Sequence, residues 1–161
     1  MIERIIIENF KSIHQLDLEL KPVNILIGAN GAGKSNFISF FKLTNRIYEQ
    51  RLQEYIGNNI DSLLYFGRKV SSHIYGLIDF DNKHAFYYRL EPTSNSNSGE
   101  IQHSRLCSNL ENTTDYGKWS LVVDESGGFI ESGVRNIEPF EGWERNTFIK
   151  FSLQSLKGFK I

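Results

Sequence analysis

The sequence predicts an α/β fold with a strand–loop–helix core, continued by an antiparallel β meander. Three observations predict it. Val23-Asn24-Ile25-Leu26-Ile27 is nearly continuously apolar, the pattern of a strand covered on both faces in a parallel sheet. A glycine-rich stretch follows at once, and apolar residues then recur at helical spacing at Phe37, Phe41, Tyr48, Leu52 and Tyr55, with Phe40, Ile47 and Ile56 beside them. From about Ser71 to Pro139 the period changes to alternation, as at Ile74, Gly76, Ile78 and Phe80.

Each element follows in order. Residues 1–70 form the core. Ile5, Ile7 and their neighbours make a short β-rich run, and Leu16, Leu18 and Leu20 alternate with Asp17 and Glu19 as in a half-buried strand. Pro22 breaks that strand before the apolar run. The helix begins just after Gly33 and is expected to continue to Gly57 and Asn58-Asn59. Asp61 is expected to cap a short second helix through Leu64 and Phe66.

Residues 71–140 read as the meander. Asp81-Asn82-Lys83 is a turn, and Phe86, Tyr88 and Leu90 alternate on the return. Thr93 to Gly99 is a short polar loop, expected to be mobile. Ile101 to Cys107 and Trp119 to Val123 are further strands, and Ser126-Gly127-Gly128 is expected to turn a hairpin into Phe129-Ile130. Residues 141–161 return to helical spacing at Ile149, Leu153 and Leu156. Gly158 stops that helix, and Phe159-Lys160-Ile161 begins another strand.

Composition bounds the function classes. A chain of 161 residues suffices for one domain with a real core. At 40% hydrophobic and 23% charged residues it reads as soluble and globular. A net charge of −1 offers no global positive field to nucleic acid or anionic membrane. Cys107 stands alone, which excludes an internal disulfide framework and points to a reducing compartment. Ile5-Ile6-Ile7 is too short for a signal-peptide core or a membrane span, so the expectation is a cytoplasmic protein without a membrane partner.

Gly28-Ala29-Asn30-Gly31-Ala32-Gly33-Lys34-Ser35 matches G-x-x-x-x-G-K-[ST], the P-loop or Walker A motif, at every fixed position. The glycines let backbone approach phosphate without a clashing Cβ, and successive N–H groups form an anion nest backed by the positive end of a helix. Lys34 is then the point charge for β- and γ-phosphates, and the Ser35 hydroxyl the Mg²⁺ ligand. An ordinary glycine-rich turn has no need of Lys34 and Ser35 together.

The flanking residues narrow the family. Ile7-Glu8-Asn9-Phe10-Lys11-Ser12 before the loop and Asn24 through Asn36 around it resemble the N-terminus of ABC-type ATPases of the SMC/RecF class. They look most similar to AAA-family ATPases related to the OLD nucleases, where an N-F-[KR]-S strand leads into a G-x-N-G-x-G-K-[ST] loop. The resemblance is specific over residues 1 to about 45 and loose beyond. It implies a P-loop NTPase fold, the first lobe of an ABC-type head, binding ATP with Mg²⁺. It also implies that Asn30 helps place the γ-phosphate, that Asn36 lies near the α-phosphate and that Lys11 lies near the nucleotide; otherwise Lys11 is a solvated strand-end lysine. Two heads of this class dimerise through the nucleotide, and the work is done on DNA or on a partner effector.

A complete site of this kind needs a Walker B strand, with an Asp for Mg²⁺ and a Glu for the attacking water, and a signature helix. Leu121-Val122-Val123-Asp124-Glu125 mimics the first and Glu125-Ser126-Gly127-Gly128 the second, yet one segment cannot do both jobs. Only three apolar residues precede Asp124, and the Gly-Gly pair reads as a hairpin. The expectation is therefore an N-terminal portion of a longer ATPase, with hydrolytic groups elsewhere. The alternative is a nucleotide-binding regulatory module without hydrolysis of its own. A small-molecule kinase would need acceptor-side arginines that are not apparent, and no base-reading N-K-x-D occurs.

The remaining polar residues read as structural. His14, His73, His84 and His103 show no metal-ligand spacing, and Cys107 reads as a small buried apolar residue. Lys42, Arg46, Arg51, Glu49 and Glu54 read as a solvated helix face, and Phe86, Tyr87 and Tyr88 as meander packing.

Overall fold

Alternation in the sequence becomes one antiparallel sheet. A computed structural model describes residues 2–57, 59–80, 84–94, 97–108 and 120–131, with backbone alone for 103–108 and 120–126. The strands are β1 (Ile2–Phe10), β2 (Ile13–Glu19), β3 (Ile74–Phe80), β4 (His84–Pro92), β5 (Gly99–Ser108) and β6 (Ser120–Phe129), in the spatial order β2-β1-β3-β4-β5-β6. Every neighbouring pair is antiparallel. Phe80 opposite His84 closes the β3–β4 hairpin expected around residues 81–83, which themselves lie outside the described residues.

One face of this sheet makes the core. Ile5 and Ile7 of β1, Ile74 and Ile78 of β3, Phe86, Tyr88 and Leu90 of β4, and Ile101 of β5 are all buried. Helix α1 (Lys34–Tyr48) lays Phe40, Leu43 and Ile47 onto the same core. The opposite face is more polar. There Arg4 grips Asp17 with two bonds of 2.8 and 2.7 Å, and this pairing holds the Asp17 carboxyl below its usual range. Leu77, Asp79 and Ala85 are nevertheless buried on it.

Gly76 decides how closely helix and sheet approach. It stands directly across from Tyr88. A Cβ on Gly76 would lie 2.6 Å from Tyr88 Cζ and 2.9 Å from Phe40 Cε2, distances that real side chains do not tolerate. Without that atom the Tyr88 ring stacks with Phe40 at a centroid distance of 6.3 Å. Thr44 donates its proton to the Phe40 carbonyl (3.1 Å), so the Tyr88 hydroxyl, 3.0 Å away, donates to Thr44 Oγ1. Complete burial pushes the Tyr88 phenol far up from its ordinary value.

The structure corrects several expectations. Val23–Ile27 is not a strand: Val23 and Ile25 are 78% exposed and Ile27 is 90% exposed. After Pro22 the chain bends, with Lys21 N–H donating to Asn24 Oδ1 and Asn24 Nδ2 donating back to Lys21 O. The core is accordingly an antiparallel sheet carrying α1, with no parallel pair among the described residues.

The long first helix is two. It stops at Tyr48, Gln50 adopts φ 58°, and α2 (Leu52–Ile56) follows as a separate short helix that buries Leu52 and Ile56. The charged face between them forms the pairs Arg46–Glu49 and Arg51–Glu54. Asp61 caps no helix through Phe66. Residues 60–62 make a single 3₁₀ turn, and the Asp61 carboxylate instead accepts from Arg68 at 2.8 Å. The hairpin expected at 126–128 is a bulge, because Gly127 (φ 120°) and Gly128 (φ 74°) shift the register against β5 while β6 runs on to Phe129.

The polar loop after β4 closes on itself, with Thr93 N–H donating to Ser98 O at 3.0 Å. Beyond it, the end of β6 returns to α2. The Glu131 carboxylate accepts from the Leu52 and Gln53 amides at 2.9 and 3.1 Å. The helix and strand expected at 141–161 lie outside the described residues, as do the side chains of His103 and Cys107.

Replacing Gly76 with Ala is expected to destabilise the chain by about 2 kcal/mol through overpacking. Tyr88→Phe, which removes one hydroxyl, is expected to cost about 1 kcal/mol. Urea unfolding monitored by circular dichroism measures both, and a neutral Gly76→Ala would refute the close contact.

Candidate functional site

The loop from Gly28 to Ser35 owes its shape to its glycines. Gly31 (φ 85°) and Gly33 (φ 91°) occupy left-handed conformations that other residues rarely adopt. Gly28 is tightly placed, since a Cβ there would lie 3.1 Å from the Ala32 Cβ. The Ala32 amide bonds back to Ala29 O at 3.2 Å and folds the loop over. A cleft of about 360 Å³ opens on it, lined by residues 30–36.

Helix α1 starts inside this loop. Gly33 is its N-cap and offers no side-chain bond, and its first turn holds no acidic residue. The Asn36 amide bonds to Gly33 O at 3.0 Å, while neither a cap side chain nor a first-turn carboxylate covers the amides of Lys34 and Ser35. The end of the helix therefore presents N–H groups and positive potential to whatever anion enters the cleft. Lys34 Nζ bends over the loop and donates to Gly28 O at 2.5 Å and Ala29 O at 2.8 Å. The side chains of Asn30 and Ser35 lie on the exposed rim.

Behind the loop stands the β1–β2 turn. Asn9 (φ 56°) and Lys11 (φ 52°) are both left-handed, a costly conformation for residues with side chains. Backbone bonds from Lys11 N–H to Leu63 O (2.8 Å) and from Tyr65 N–H to Asn9 O (2.9 Å) hold them there. The next residue, Ser12, accepts from Asn36 Nδ2 at 2.7 Å. Its Oγ also lies 3.3 Å from where a Cβ on Gly33 would stand. Sequence reasoning quoted Ser12 within the N-F-K-S segment but gave it no role. The only signal was a hydroxyl placed at the turn between two alternating strands.

Lys11 is not among the residues lining the cleft. Its ammonium sits 5.5 Å from the centroid of the Phe10 ring. Burial, followed by the nearby Lys42 charge, lowers its pKa from the ordinary lysine value. Asp124 and Glu125 belong to β6. Asp124 is opposite Arg105, which is opposite Tyr87, then Leu77, then Ile6 of β1. Four strand spacings, roughly 19 Å, thus separate Asp124 from the strand that leads towards the loop. Among the described residues no group of His, Cys, Asp and Glu could hold a metal, and no helix is long and apolar enough to cross a membrane.

Lys42→Gln is expected to raise the Lys11 pKa without restoring the ordinary value, because burial is the larger cause. Side-chain NMR titration reads this directly. With the folded value below the unfolded one, the unfolded chain binds more protons in the interval between them. Stability should therefore rise with pH across that interval. A Lys11 pKa unmoved by Lys42→Gln would refute the contact between the two charges.

Comparison with known proteins agrees with this geometry. The AAA ATPase domain family matches residues 1–115, which span the loop, α1 and the sheet through β5 but not β6. No curated protein sequence matches the chain significantly. An AAA ATPase domain implies ATP binding, usually with Mg²⁺, which suits a glycine-shaped cleft lined by Lys34 and Ser35. The chain belongs to the AAA ATPase domain family.

Proposed function

We propose that this chain binds Mg-ATP through residues 28–35, as the first lobe of an ABC-type head of the SMC/RecF class. The observation that carries the proposal is the loop itself: left-handed Gly31 and Gly33 deliver an acid-free, uncapped helix start into a cleft that holds Lys34. Lys34 would exchange its two loop carbonyls for the β- and γ-phosphate oxygens. Gly31, Ala32 and Gly33 present backbone to those oxygens, Asn30 stands at the γ end, and Asn36 stands at the α end. Ser35 would hold Mg²⁺, which when bound supplies charge neutralisation between the β- and γ-phosphates.

The exposed Val23–Ile27 run supports the wider reading. Val23, Ile25 and Ile27 form an exposed apolar run of the kind that a further packed surface covers. A further lobe packed against them would cover them and bring the groups that activate water. Two such heads would close on the nucleotide, and the cycle would drive work on DNA or on an effector protein.

A second reading is a nucleotide-binding regulatory module without hydrolysis. The position of Asp124 and Glu125 in an antiparallel strand, far across the sheet from the loop, favours it for this polypeptide taken alone. Calorimetry with Mg-ATP tests the binding site: Lys34→Ala is expected to weaken binding at least about tenfold. Equal affinity in wild type and Lys34→Ala would sink the proposal. Phosphate release by the 161-residue chain, lost in Glu125→Gln, would reject the regulatory reading.

A further inference from the structure

We infer that Ser12 is a positioning residue for the nucleotide site, which holds the exit of the phosphate loop in shape through Asn36. The inference rests on the nucleotide-binding reading above and adds a part to it. Three observations carry it. The Ser12 hydroxyl accepts the Asn36 side-chain proton at 2.7 Å, across 24 residues of sequence. The same oxygen fills the space beside Gly33, 3.3 Å from where a Cβ would be, so it abuts the left-handed residue that turns loop into helix. The turn presenting it is held in a costly shape, with Asn9 and Lys11 both at positive φ and both locked by backbone bonds to the 63–65 segment. Strain of this kind persists only where surrounding structure imposes it, and here its product is the placement of one hydroxyl.

The physical consequence is specific. Asn36 occupies the first turn of α1, and its own amide already bonds to Gly33 O at 3.0 Å. With its side chain tied to Ser12, the first turn is fixed from two directions. The loop amides then keep one orientation before an anion arrives, so less freedom is lost on binding. Ser12 needs no contact with the nucleotide to act in this way.

A double-mutant cycle on the full chain tests the role, with Mg-ATP affinity read by calorimetry and folding read by thermal melting. Ser12→Ala is expected to weaken Mg-ATP binding about fivefold, the scale of one hydrogen bond, with its melting temperature within about 2 °C of wild type. Ser12→Thr, which keeps the hydroxyl, should recover most of the affinity. Ser12→Ala combined with Asn36→Ala should bind no more weakly than Asn36→Ala alone, since both remove the same bond. Additive losses, wild-type affinity in Ser12→Ala, or a loss explained by a lowered melting temperature and not recovered by threonine would each overturn the role. Lys34→Ala separates the two ideas. If it abolishes binding while Ser12→Ala does not weaken it, the positioning role falls and the site stands. If Lys34→Ala binds as wild type does, the site reading falls and takes this role with it.

Discussion

The missing side chain of Gly76 sets the spacing on which the architecture depends. It lets Tyr88 stack with Phe40, so that α1 sits low on the sheet. The hydrogen-bond chain from Tyr88 through Thr44 to the Phe40 carbonyl then fixes the helix against rotation. Because α1 begins in the 28–35 loop, core packing around Phe40 bears on how the end of that loop is held. Phe10 adds to the same junction, edge-on to Phe40 at a centroid distance of 6.1 Å, and it is the residue between strained Asn9 and Lys11. Core packing and loop geometry are therefore one problem at this end of the sheet.

The sheet has a clear division of labour. Its core face is apolar and continuous, from Ile5 and Ile7 across to Ile101. The other face carries cross-strand polar contacts such as Arg4 with Asp17, and Tyr75 near Tyr87 at 6.1 Å. Exposed pairs of this kind add little stability. They do fix register, since a one-residue slip would bring charge into the core.

Much of this was legible in the sequence, for reasons that differ by element. The alternation of Leu16, Leu18 and Leu20, and of Phe86, Tyr88 and Leu90, reports a two-residue period directly, and those strands stand where the pattern puts them. The start of α1 was legible because Gly33 and Lys34 mark it by chemistry. The break at Gln50 was not, because Tyr48, Leu52 and Ile56 keep helical spacing across it while the backbone there turns to φ 58°. Val23–Ile27 misled because apolarity reports a need for burial and says nothing of which partner meets it. Gly127 and Gly128 read as a turn, yet positive φ serves a bulge equally well. The Ser12–Asn36 bond joins two short polar residues, and no periodicity encodes a single long-range bond.

The Glu131 clasp has a consequence for the order of events as the chain folds. The amides at the start of α2 are capped by a carboxylate 79 residues downstream of Leu52. A five-residue helix is too short to persist unaided. During synthesis the residues of α1, α2 and the first four strands are all made before Glu131, so the carboxylate that caps α2 is the last of these parts to appear. A chain interrupted before residue 131 would carry the five-residue α2 without the carboxylate that caps its first amides.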